Sequence, residues 1–143
     1  MTDDDFPAPD EGLVLTHTLI VSDVKASCKW YEKMLDGKVV LEPSSEGVPC
    51  IIKVANSWVI LNIGGGEPTD DKPYTKVAVK QDQDILSSFL NIRVADIHDF
   101  YKSRKKRGAE FITEPKEHIS EIRCYMVDPD GYLIEVGESK TPK

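Results

Sequence analysis

Cys124-Tyr125-Met126-Val127-Asp128-Pro129-Asp130-Gly131-Tyr132-Leu133-Ile134-Glu135-Val136 sets two runs of strand-forming residues on either side of Asp-Pro-Asp-Gly. Pro129 presets the φ angle of a turn and Gly131 takes a positive φ without steric cost, so the stretch predicts a β-hairpin. Its second strand is apolar apart from one acid, Glu135, flanked by Ile134 and Val136. A carboxylate in such a strand needs a partner, a ligand or a proton, because burying it alone is expensive. What Glu135 faces is therefore the question the rest of the chain has to answer.

The chain has 143 residues, enough for one domain that buries about 70% of the surface its unfolded form exposes. With 40% hydrophobic and 30% charged residues it has the balance of a soluble globular protein. A net charge of −7 argues against nucleic acid as a partner, since that needs lysines and arginines clustered on one face. The basic run from Lys102 to Arg107 reads as the solvated face of a helix. No apolar run approaches the roughly 20 residues that span a bilayer, and Thr2-Asp3-Asp4-Asp5 is acidic where a signal peptide is basic. Cys28, Cys50 and Cys124 are widely spaced and form no C-x-x-C pair, which fits reduced structural thiols in a cytoplasmic protein.

Read in order, residues 1–12 form an acidic tail without periodicity, expected to be disordered. Leu13 to Val21 is a strand, and Asp23 is placed to cap a helix with Val24, Cys28, Tyr31 and Leu35 on one face. Gly37 sits where a left-handed C-terminal cap favours glycine. Strands follow at 38–41, 50–54 and 58–63. The pattern then recurs. Val21-Ser22-Asp23-Val24 returns as Val94-Ala95-Asp96-Ile97, Gly37 as Gly108, and Glu42-Pro43 as Glu114-Pro115. Asp96 follows Asp23 by 73 residues, too long a period for a solenoid repeat. Two copies of a βαβββ module result, at 13–63 and 86–138, making one domain over 13–138. The loop 64–85 joins them, and its Lys76–Lys80 alternates like a short strand. Eight strands and two helices are expected in an α+β fold, each helix covering one face of its sheet.

Two βαβββ modules, each entered by V-x-D before a helix and the second closed by Asp128-Pro129-Asp130-Gly131-Tyr132-Leu133-Ile134-Glu135, resemble the vicinal oxygen chelate superfamily. That group comprises glyoxalase I, bleomycin-resistance proteins and extradiol dioxygenases. The resemblance implies curved mixed sheets around a cup-shaped cavity for a small-molecule ligand, and a homodimer. Metal-dependent members take ligands from the first and fourth strands of each module. Carried over, those positions fall at Thr16, at Leu61 or Asn62, at Phe89, and at Glu135. His17 is one residue out of register, which turns it toward the helix side unless a β-bulge re-aims it. His17 and Glu135 are thus the sole candidate metal ligands, and no cofactor is expected; a divalent metal remains the alternative. The leading function is binding of a small molecule without a metal. The alternative is a metal-dependent glyoxalase-like lyase or dioxygenase acting on vicinal oxygens.

Glu135 is the candidate catalytic carboxylate, or else one half of an ion pair with Arg93 or Arg123. Alternation along the strand from Phe89 places Asn91 and Arg93 away from the helix, facing the cup. Asn62, Asn91, Arg93, Arg123, Tyr125 and Trp58 are the candidate ligand-binding residues, the aromatic pair as stacking surfaces. Cys28, on the apolar face of its helix, is read as inert.

Overall fold

The computed structural model describes residues 5–44, 48–64, 66–79 and 84–141. The chain falls into two compact units, Met1–Gln81 and Asp82–Lys143.

The first unit holds β1 (Thr16–Ile20), α1 (Val24–Met34), β2 (Lys38–Leu41), β3 (Cys50–Val54) and β4 (Ser57–Asn62). Its sheet runs β1-β4-β3-β2, with β1 parallel to β4 and the other pairs antiparallel. Asp23 caps α1 as expected, its carboxylate accepting the Ala26 N–H at 3.0 Å. The helix buries Ser27, Cys28, Tyr31 and Met34 against the sheet side formed by Val59, Leu61, Cys50 and Ile52. One expectation about its C-terminus changes. Asp36, not Gly37, takes the left-handed conformation, at φ 53°. Gly37 is required instead by close approach, since a β-carbon there would overlap the Ile52 side chain.

The second unit holds β5 (Leu90–Arg93), α2 (Ile97–Lys106), β6 (Glu110–Phe111), β7 (Lys116–Glu117), β8 (Glu121–Val127) and β9 (Leu133–Ser139). Its sheet runs β5-β9-β8-β6, and β7 also pairs with β8. Nine strands thus occur among the described residues where eight were expected. The extra one is β7, two residues beyond Pro115 that reach Arg123 and Ile122. No strand forms over the described residues 76–79 of the segment expected to be strand-like.

The hairpin that closes the chain has the turn its sequence specifies. Gly131 N–H reaches the Asp128 carbonyl at 2.9 Å, and Gly131 has φ 83°. The buried Asp128 carboxylate accepts the N–H groups of Asp130 and Tyr132, each at 2.9 Å, fixing the turn from inside. Asp96 caps α2 through the Asp99 N–H at 3.0 Å. Glu138, from the end of β9, accepts the Ile97 N–H at 2.9 Å and ties strand to helix.

Candidate functional site

Strand alternation sorts the residues of β9 onto two faces. Ile134 and Val136, both fully buried, lie on the α2 side. Leu133, Glu135 and Gly137 lie on the far face. In the ladder Glu135 is paired with Asn91 of β5 and with Tyr125 of β8. Both neighbours point the same way as Glu135, and both bond to it. Asn91 Nδ2 donates to Oε1 at 2.6 Å and the Tyr125 hydroxyl donates to Oε2 at 2.7 Å. Glu135 is 8% exposed, so two polar neighbours meet the need of a nearly buried carboxylate. The same bond, with burial second, raises the Tyr125 phenol above its usual range, because ionising it would set a phenolate against a carboxylate. Phe89 meets the Tyr125 ring edge-on at 6.3 Å between centroids.

The expected ion pair between Glu135 and an arginine does not form. Arg93 and Arg123 both stand opposite Gly137, two residues further along β9. Gly137 has no side chain to separate them, and a β-carbon there would overlap the Arg93 guanidinium. Their acid is Glu121, at the start of β8. Arg93 Nη1 lies 2.7 Å from its Oε2 and Arg123 Nη1 lies 3.1 Å from its Oε1. These bonds, Arg93 first, hold the Glu121 carboxyl below the usual carboxylate range. Glu121 was not singled out in the sequence, although Glu121-x-Arg123-x-Tyr125 alternates along one face of a strand. Two guanidiniums against one carboxylate leave this patch a net positive charge. Side-chain exposures of 46% and 37% leave both arginines reachable from solvent, while Glu121, at 16%, is largely covered.

The same register corrects the mapping between modules. Val21 N–H bonds to the Asn62 carbonyl as Val94 N–H bonds to Gly137, both at 2.9 Å. Asn62 therefore matches Gly137, and Thr18, paired with Ile60, matches Asn91, paired with Glu135. The position equivalent to Glu135 is Ile60, not Leu61 or Asn62. His17 pairs with Val59 in an unbroken β1–β4 ladder, on the side of the buried Leu19 and Val21. No bulge re-aims it.

Among the described residues no three His, Cys, Asp or Glu side chains converge as a metal site. The donor chemistry explains why: Thr16, Ile60 and Phe89 offer at best a hydroxyl, and the oxygens of Glu135 are bonded to Asn91 and Tyr125. This set does not fit a transition metal.

In the first unit, Asn62 lines a cleft of about 370 Å³ with Ser22, Asp23, Lys25 and Pro43. Trp58 lies on the far face of its sheet, its indole N–H donating to the Asp5 carbonyl. Asp5 was expected in a disordered tail. Its carboxylate meets Lys38 at 2.7 Å and Lys53 at 3.0 Å. Cys28 faces Cys50 with 2.8 Å between sulfurs, and burial raises both thiols, in keeping with the inert reading.

The sequence profile of the Glyoxalase/Bleomycin resistance protein/Dioxygenase superfamily matches residues 14–136, and the chain belongs to that family. Among solved structures it is similar to TioX from Micromonospora sp. ML1, at 15% identity and TM-score 0.67, over 90% of this chain and 99% of that one. TnmS3, described as an antibiotic binding protein from Streptomyces sp. CB03234, is 17% identical with TM-score 0.65, over 93% of this chain and all of its own (100%). A lactoylglutathione lyase from Agrobacterium tumefaciens is 13% identical with TM-score 0.66, over 91% and 96%. None of the curated proteins compared with the chain matches its sequence significantly. At these identities the likenesses establish the α+β fold, which hosts both binding proteins and enzymes. No helix among the described residues is long and apolar enough to cross a membrane.

Proposed function

We propose that the chain binds a small, oxygen-rich molecule on the far face of the second sheet and does so without a metal. The observation that carries this reading is the arginine pair. Arg93 and Arg123 share one carboxylate, Glu121, and stay partly exposed over Gly137. Each guanidinium has five donors in a fixed fork, so donors remain for the oxygens of a ligand. Beside them, Tyr125 and Phe89 supply ring faces, and Asn91 is held in place by Glu135. Glu135 serves as a positioning residue in this reading, orienting Asn91 and Tyr125. The lyase or dioxygenase reading is weaker because Glu135 has no second strong donor at the matching strand positions. In a working homodimer, as the family resemblance implies, each chain would offer one such face.

Thermal-shift measurements with catechol and gallate on protein purified without chelator test the proposal. Stabilisation by at least one probe, lost in Arg93→Met and in Arg123→Met, is the expected result. Elemental analysis of the same preparation should find far less than one Zn, Ni, Mn or Fe per chain. Close to one metal per chain, removed by Glu135→Ala, would overturn the metal-free reading. Probe binding that survives both arginine variants would remove the site.

A further inference from the structure

A second feature lies in the first unit, apart from the arginine pair and independent of how that pair is read. Lys38, Lys53 and Trp58 stand side by side across β2, β3 and β4, joined by the pairings Lys38↔Lys53 and Lys53↔Trp58. Side chains directly opposed in an antiparallel ladder have β-carbons about 4.5–5.5 Å apart, and like charges so placed repel. Two ammonium groups at such positions call for an anion between them. Asp5, 33 residues before Lys38, provides one. Its carboxylate bridges the two cations at 2.7 and 3.0 Å, while its own backbone carbonyl accepts the Trp58 indole N–H. Lys53 Nζ lies 5.5 Å from the Trp58 ring centroid, so the indole face also holds this cation in place. The two lysines, with Lys38 contributing most, depress the Asp5 carboxyl below its usual range.

The contacts made by Asp5 define what the site recognises. One carboxylate sits on two ammonium groups, and a second carbonyl oxygen, joined to the first carboxyl carbon through two intervening carbons, accepts from an indole. That is the skeleton of a four-carbon dicarboxylate. We propose that Lys38, Lys53 and Trp58 form a binding site for succinyl-type acids, and that Asp5 is its built-in occupant. A free dicarboxylate reproduces the contacts of Asp5 with Lys38, Lys53 and Trp58 and brings a second full charge to the indole N–H, so it displaces the N-terminal segment. The segment acts as a tethered competitor. It lowers the apparent affinity by the fraction of time it is seated, so a strap seated about nine-tenths of the time weakens binding about tenfold.

Succinate titration followed at the Trp58 indole N–H signal by NMR tests this, with the signal assigned through Trp30→Phe. Asp5→Ala should bind succinate about tenfold more tightly than the unaltered chain, the ratio expected for that occupancy. Adding Lys53→Met, or Lys38→Met, to Asp5→Ala should abolish the response, and each keeps most of the lysine stem. Butyrate, lacking the second carboxyl, should bind Asp5→Ala at least tenfold less tightly. Arg93→Met/Arg123→Met should leave the Trp58 response intact. Affinities within twofold for the unaltered chain and Asp5→Ala would overturn the competitor. Succinate binding to Asp5→Ala that survives both lysine variants, or that disappears with the arginines, would overturn the site.

Discussion

Two rows of side chains, one in each sheet, occupy matching places on matching ladders. In the first sheet the row on the far face reads Thr18, Ile60, Ile51, Leu41. In the second it reads Asn91, Glu135, Tyr125, with Ile112 next, its N–H bonded to the Tyr125 carbonyl at 2.9 Å. The backbone pairing is the same, but one row is almost wholly apolar while the other carries a hydrogen-bonded acid. On the opposite, helix-facing side the two sheets agree: Val59 and Leu61 correspond to Ile134 and Val136, Cys50 to Cys124, Ile52 to Met126, and all are buried. The repeated fold is thus written on one side of each sheet, and the far face is free to diverge. That division is why fold and function carry such different signals in this family.

The largest effects should come from the side on which the modules agree. Ile52→Ala and Met126→Ala remove fully buried side chains at equivalent positions, and each should cost about 2–5 kcal/mol. Urea denaturation should show both losses, and of comparable size. A loss confined to one of them would mean that the two cores are not equivalent and would break the comparison.

Next in size is the acid that sets the rows apart. Glu135→Ala removes two hydrogen bonds to an ionised group, with a cost of about 2–3 kcal/mol. The figure falls below that of a severed buried ion pair, about 3–5 kcal/mol, because the partners are neutral and Asn91 is exposed to water. Copying the first row outright, with Asn91→Thr, Glu135→Ile and Tyr125→Ile together, removes donors and acceptors at once and should cost about 1 kcal/mol or less. If the triple variant is as unstable as Glu135→Ala, the polar row is structural. Near-native stability with lost probe binding would assign it to function.

Much of this architecture is legible in the sequence, and the reason is physical. The caps Asp23 and Asp96, the Asp128–Gly131 turn and the alternation around Glu135 are local signals, each set by backbone conformations within a few residues. They fix the elements, the repeat and the face Glu135 occupies. Partner choice is not local. Whether Glu135 meets Arg93 or Asn91 depends on a parallel register between strands 44 residues apart: a shift of two positions exchanges one for the other, and a shift of one turns the strand over. The same dependence on register puts Ile60, rather than Leu61 or Asn62, opposite Thr18. Gly137 carried a usable signal: a glycine inside a strand marks a place where something else approaches closely. Asp5 carried none, since no local rule says which lysines an acidic tail will find.

A smaller effect belongs to Glu121. Because Arg93 and Arg123 depress its carboxyl in the folded state, it contributes stability above the unfolded carboxylate value. That contribution is lost as pH falls through the depressed folded value. The acid is bonded to two half-exposed cations, so the contribution is under about 1 kcal/mol. Glu121→Gln should narrow the difference in urea midpoint between neutral and acidic solution. A variant whose midpoint tracks the parent at every pH would show that the arginines need no counter-charge.

The smallest effect, and the most direct reading of the polar row, is the titration of Tyr125. The chain has 5 tyrosines, and ionisation of each is seen near 295 nm. Tyr125 donates its proton to Glu135 Oε2, and that bond holds the phenol above its usual range near 10. A raised folded value means that the neutral phenol is favoured by folding. Its contribution is complete below the unfolded value and fades as pH rises through the folded one. The absorbance curve should therefore contain, beyond the main transition, a late step to which Tyr125 contributes about one tyrosine. Tyr125→Phe should delete that contribution. Glu135→Gln should return it toward the others, because an amide can still accept the hydroxyl proton but does not repel a phenolate. The first sheet has Ile51 in the matching place, with no hydroxyl to titrate. An absorbance curve that is unchanged in Glu135→Gln would mean that the bond between Tyr125 and Glu135 is not what distinguishes the two rows.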